Sequence, residues 1–330
     1  MALPDSAIGV LRDALKRPTT ADPSFEWRIP FIKAKAGMPS AGPETRAVMN
    51  RFSADSLKKL PVNDRLEGLF GARTAAGQTG MPSLMDSASA MLRRTDPVMP
   101  SSGNTRSDFV SGWLLAGMRV GMAMPLTPAA RATLLDGVRT IDRGRAEGRR
   151  DASVPYMVYL ETRDPTFADV ARQWSSPLSN GYPELQALVA LRRGDTAAAE
   201  KIAQSFPTVD SLKRAALGMT GMRTIARASV LVELGDLRRA TQLYETIDPK
   251  RFGQTGIPET SWPMYVRSYL ARGRLFEQLG ERERAVAAYE RFLTLWKDAE
   301  APLQPQLREA REALARLHDA AGIAVKATVR

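Results

Sequence analysis

The chain contains no cysteine, which removes disulfides, thiolate metal sites and a cysteine nucleophile. It has one histidine, His318, so histidine triads and zinc sites of the usual make-up are excluded as well. No Gly-Lys-Ser/Thr is present for a phosphate loop, and the glycines of Gly68–Gly80 fit neither that spacing nor GxGxxG. The HRD and DFG of a kinase, GxSxG and the EF-hand pattern are missing too. Carboxylates are plentiful, but nothing in the sequence places two of them in a cleft. Long hydrophobic runs are also lacking. The longest, Val110–Leu126, has Arg119 at its centre and reads as a buried helix rather than a membrane span. The first residues carry no basic cluster, and Asp13 and Lys16 interrupt the first apolar stretch, so no secretory leader is expected. These absences point to a soluble, cytoplasmic, non-catalytic binding protein without metal or cofactor, or to the soluble part of a longer anchored chain.

What is present is ordinary globular material: 330 residues, 44% hydrophobic and 25% charged. Lys and Arg number 47 against 36 Asp and Glu, a formal charge of +11. The excess is spread along the chain rather than gathered into a basic arm. Its densest cluster is Arg139, Arg143, Arg145, Arg149 and Arg150, beside and within the polar stretch Asp142–Ser153. Such a cluster suits sequence-independent binding of nucleic acid or another polyanion, weakened steeply by salt. No aromatic residue interleaves with these arginines to stack bases, which favours a solvated loop.

The C-terminal half repeats one pattern three times. A small residue is followed three later by a larger apolar one. A glycine comes four after that, an alanine five on, and an apolar or aromatic residue four further. The copies are Ala187, Ala190, Gly194, Ala199, Ala203; Ala228, Leu231, Gly235, Ala240, Tyr244; and Gly273, Phe276, Gly280, Ala285, Tyr289. The first two positions share a helix face. The glycine ends that helix in a left-handed conformation, and Asp195, Asp236 and Glu281 follow as capping or first-turn acids of a second helix. The alanine lets the two helices approach closely. Each copy is therefore expected to be a helical hairpin, with Ala240 and Ala285 buried inside it.

This spacing resembles the tetratricopeptide repeat (TPR). The best copy, Tyr265–Trp296, matches that consensus at Tyr269, Gly273, Phe276, Gly280, Ala285 and Tyr289. It departs at Arg272, where Leu is usual, and the first copy has Ala190 and Ala203 where bulkier residues are usual. The resemblance covers about residues 180–320. It implies a right-handed α-solenoid whose concave groove, lined by the first helix of each hairpin, holds a peptide or protein partner. The implied groove residues are Leu188 and Arg192; Ile225, Ser229 and Glu233; and Arg267, Leu270, Arg274 and Glu277. Leu188, Ser229 and Arg274 stand where a carboxylate-clamping subclass has Asn, so that specificity is not expected. The array is similar to the TPR tails of bacterial multi-domain signalling proteins, although no kinase or activator module accompanies it.

Upstream, Thr127-Pro128 and Asp164-Pro165 read as helix starts, for Pro128–Arg143 and Pro165–Trp174. Ser107–Met122 reads as a helix pairing with the first of these, and Pro302–Gly322 as a solvating C-terminal helix. Before residue 106, short helices are expected at Asp5–Lys16, Glu44–Leu60, Asp64–Arg73 and Ser83–Arg94. Phe25–Phe31 alternates as an extended arm. Nine of the 14 methionines lie between Met38 and Met124, which suits adaptable core packing or an adaptable binding surface. The expected fold is all-α. Residues 1–105 form an irregular helical region with an extended arm, 106–180 divergent hairpins, and 181–322 a TPR-like array with a capping helix.

Overall fold

The computed structural model describes residues 33, 38–95, 115–144, 153–174, 182–214, 220–247 and 262–328. The described residues are helical with short connections, as an all-α protein requires. The helices are α1 (Ala41–Met49), α2 (Ala54–Lys58), α3 (Val62–Thr79), α4 (Pro82–Thr95), α5 (Pro128–Gly144), α6 (Ser153–Thr162), α7 (Pro165–Trp174), α8 (Pro183–Arg192) and α9 (Thr196–Gln204). They continue with α10 (Val209–Arg214), α11 (Thr220–Glu233), α12 (Leu237–Glu245), α13 (Trp262–Gln278), α14 (Arg282–Leu295) and α15 (Gln304–Thr328). Residues 115–121 are also helical, and a 3-10 turn, Ala301–Leu303, precedes α15. Among the described residues no helix is long and apolar enough to cross a membrane. The expected helix at Asp5–Lys16, the extended arm and residues 107–114 of the expected helix Ser107–Met122 lie outside the described residues.

Helices α8–α9, α11–α12 and α13–α14 pack as three hairpins, and α6–α7 forms another before them. Successive first helices touch, α8 against α11 and α11 against α13. The repeat positions do what their residue types predict. Gly194, Gly235 and Gly280 end the first helices at φ of 77°, 80° and 72°. Asp195 and Asp236 cap the second helices, accepting from the amides of Ala198 and Arg239 at 3.0 and 3.2 Å. Glu281 occupies the same position without a side-chain cap bond. Ala199, Ala240 and Ala285 are fully buried. Gly273 lies under the ring of Tyr289, where a Cβ would come within 2.5 Å of ring carbon.

The N-terminal helices are part of the same packed core. Helix α3 packs against α13, far along the chain. Gly80, at φ 69°, ends α3 and accepts a hydrogen bond from the amide of Glu300 at 2.9 Å. A Cβ on Gly80 would stand 2.8 Å from that of Ala299, so only glycine fits the contact. The Glu300 carboxylate accepts from the Ser83 amide at 2.8 Å and pairs with Arg46. Met49, Met81, Met85, Met118 and Met122 are all buried, so these methionines serve core packing. Expected helix Glu44–Leu60 is divided at Asn50–Ser53, where Ser53 and Ser56 form a capping box that starts α2.

Candidate functional site

The residues implied as a groove lie largely inside the molecule or in its own ion pairs. Leu188, Ile225 and Leu270 are core residues, 2%, 7% and 3% exposed, so they are not open groove lining. The cause is non-local. Their helices are packed on by others, α8 by α11, α11 by α13 and α13 by α3. Ser229 donates to the carbonyl of Ile225 at 3.0 Å. Arg267 pairs with Glu161 of α6 at 2.7 Å and donates to the carbonyl of Gly121 at 3.0 Å. Arg274 grips Glu309 of α15 with Nε and Nη2, at 2.5 and 2.7 Å. Glu277 accepts from the Tyr289 hydroxyl at 3.0 Å and from Arg316 at 3.3 Å. Burial, then the Glu277 carboxylate, hold that phenol well above its ordinary range. Glu233 pairs with Arg163 at 2.5 Å. Of the nine residues, Arg192 alone is exposed and has no carboxylate partner among the described residues.

The basic cluster is only partly within the described residues. Arg139 and Arg143 are exposed at the end of α5, and Arg139 stands 3.6 Å from Asp136. Arg145, Arg149 and Arg150 lie outside the described residues.

A different concentration of charge surrounds α8. Glu184, on its first turn, is fully buried and takes two arginines from the next hairpin. Arg223 Nε lies 2.5 Å from one carboxylate oxygen, and Arg227 Nε lies 3.2 Å from the other. Burial opposes the charge on Arg223, but the hydrogen bond and charge of Glu184 outweigh it and raise its pKa. Tyr156 is buried beside this group and its phenol is pushed well up, first by burial and then by Glu184. Its ring packs on that of Tyr182, centroids 5.1 Å apart, and Arg223 lies 5.2 Å from the Tyr182 ring centre. The sequence signal for this group is slight: two arginines four apart on α11 and one acid opening the preceding hairpin.

The other end of α8 is open. Its last residue, Arg192, and its capping residue, Arg193, are both exposed and without a carboxylate partner among the described residues. They act electrostatically on Tyr159 of α6, together with Arg163. Arg163 lies 6.0 Å from the centre of that ring. Beside Arg193, between α7 and the α8–α9 hairpin, lies a cleft of about 280 Å³. Ala168, Leu185, Val189, Ala190 and Ala198 form its apolar lining, and Arg172, Gln186, Arg193 and Asp195 its polar rim. A larger concavity of about 770 Å³ over Gly280–Glu290 is lined by residues of one hairpin alone, five of them charged, and so lacks facing walls.

Among the described residues no three His, Asp or Glu side chains group as metal ligands. Fold and surface together define an all-α protein of packed helical hairpins with an open, arginine-rimmed cleft. No family model matches the chain, and comparison with curated proteins finds no match.

Proposed function

We propose that this protein is a non-catalytic scaffold of TPR-like hairpins that holds a peptide or protein partner. One observation carries the reading: three successive hairpins are each closed by a left-handed glycine and a fully buried alanine at matching positions. That repetition makes a surface of stacked helices, which suits recognition of an extended partner more than the enclosure of a reacting atom. The solenoid handedness and the kinship with signalling-protein tails belong to the same proposal. The partner surface would not be the whole implied groove, because Arg267, Arg274, Glu233 and Glu277 are engaged within the chain.

The test is capture from native lysate at moderate salt, with nuclease treatment of bait and eluate. A discrete protein retained through both treatments supports the scaffold. Material that disappears with nuclease or modest salt would overturn it in favour of polyanion binding, with Arg139 and Arg143 as the first residues to reverse in charge.

A further inference from the structure

The three hairpins differ at one position of their shared pattern, and the difference has a geometric result. The larger apolar residue on the first helix is Leu231 in the second copy and Phe276 in the third, 1% and 4% exposed. In the first copy it is Ala190, which is half-buried and lines the cleft of about 280 Å³. The cleft is thus found where the repeat lacks its usual bulky side chain. Its floor is apolar: Ala168 and Leu185 are 5% and 3% exposed, and Val189 and Ala198 complete it. The volume, just under the lower bound of roughly 300–1,000 Å³ for a drug-sized pocket, suits one or two apolar side chains.

The rim supplies a sign of charge. Three residues beyond the truncated position stands Arg193, where the other copies have Leu234 and Leu279. Arg193 has no carboxylate partner among the described residues. The nearest acid on the rim, Asp195, is turned to the amide of Ala198 as a helix cap. Arg172, also on the rim, is held by Asp169. One arginine fork is therefore left beside an apolar hole, with Arg192 next to it on the chain.

We infer that this cleft is a docking site for an acidic, apolar peptide, one of whose aliphatic or aromatic side chains enters the space left by Ala190 while a neighbouring carboxylate pairs with Arg193. The peptide side chain takes the place that Leu231 and Phe276 fill in the other hairpins. This site rests on the scaffold reading above, but it lies between α7 and the α8–α9 hairpin rather than in the implied concave groove.

The probe is a short fluorescent peptide in which leucine alternates with glutamate, followed by anisotropy on the full chain. Two companion peptides replace glutamate by lysine, or leucine by serine. Ala190→Leu installs the side chain of the second copy and fills the hole; Arg193→Glu reverses the rim. Both sites are on the surface or half-buried, and thermal melts by circular dichroism confirm that the variants fold. The expected result is saturable binding of the leucine–glutamate peptide alone, weakened about tenfold or more by each variant. Absence of binding to the wild-type chain, equal binding of the lysine or serine peptide, or binding indifferent to Ala190→Leu would each overturn the assignment. Lysate capture separates this from the broader reading: a protein still captured by Ala190→Leu leaves the scaffold standing and removes the cleft. Should the leucine–glutamate peptide fail to bind and lysate capture yield only nuclease-sensitive material, the cleft and the scaffold reading fall together.

Discussion

The α8–α9 and α13–α14 hairpins share one design and have opposite fates. Around α13–α14 the implied groove is taken: α3 packs on α13, α15 on α14, and Arg267, Arg274 and Glu277 are all bound within the chain. Phe276 fills the hairpin and Tyr289 closes over Gly273. Around α8–α9 one end is locked by Glu184, Arg223 and Arg227, while the other keeps two arginines with no carboxylate partner among the described residues and a hole beside Ala190. Whether a hairpin offers a surface is thus decided by the size of one repeat residue and by which distant segment packs on it. The hairpin pattern itself is common to both.

The largest expected effect lies at the locked end of α8. Glu184 is wholly buried, so Glu184→Gln leaves two arginines facing a neutral amide, and we expect a loss of about 3 kcal/mol in urea unfolding. A loss below about 1 kcal/mol would show that water reaches the pair and that this end is not locked. Next come the glycines, which separate the two regions cleanly. Gly80 and Gly194 have nearly the same backbone, φ 69° and 77°, but a Cβ on Gly80 meets Ala299 and Leu303 at 2.8 and 3.0 Å. A Cβ on Gly194 meets nothing within 4 Å. Gly194→Ala should therefore cost the backbone strain alone, about 1 kcal/mol, and Gly80→Ala about twice that or more. Equal losses in thermal melts would mean that α3 does not close against the 296–303 corner.

What could be read in the sequence follows the range of the interaction. Gly194, Gly235 and Gly280 were legible because a left-handed helix end is a property of one residue. Ala240 and Ala285 were legible because close helix approach needs a small side chain at a fixed spacing. Helix α6 had no comparable signal. Tyr156, Met157, Val158 and Tyr159 are buried in succession, so no polar face marks its period. The groove residues failed differently. The resemblance implies Leu188, Ile225 and Leu270 as groove lining, but all three are buried, and contacts between distant segments such as α3 with α13 are encoded by no local pattern. The truncated Ala190 was visible as a departure from the pattern, and its meaning needed the cleft.

Paired arginines at the closed hairpin should matter little more than free ones at the open hairpin. The Arg274 side chain is half-exposed even while it holds Glu309, so solvent screening limits its worth, and Arg274→Ala should cost about 0.5 kcal/mol. Arg192→Ala removes no ion pair among the described residues and should change stability by no more than about 0.3 kcal/mol, within the usual range for surface positions. Urea midpoints of the two variants, measured side by side, give the difference. A loss of roughly 2 kcal/mol or more at Arg274 would make α15 a principal clamp on the closed hairpin rather than a cover.

The smallest effect is one of pH, and it concerns why the open region has arginines to spare. Two of its carboxylates are committed to helix starts. Asp195 caps α9, and Asp164 accepts from the Thr166 amide at 3.0 Å and from Arg131 Nε at 2.7 Å. Partial burial works against the charge on Asp164, but Arg131 and Thr166 outweigh it and hold its pKa below the usual carboxylate value. A lowered native pKa stabilises the fold fully above the ordinary value of about 4 and loses that stabilisation as pH falls through the native one. Asp164→Asn retains a good cap and removes only the charge. The urea midpoints of wild type and variant should therefore differ at neutral pH and converge in acid. A gap that stays constant down to acid pH would show that Asp164 works as a cap alone and that its pair with Arg131 adds nothing to stability.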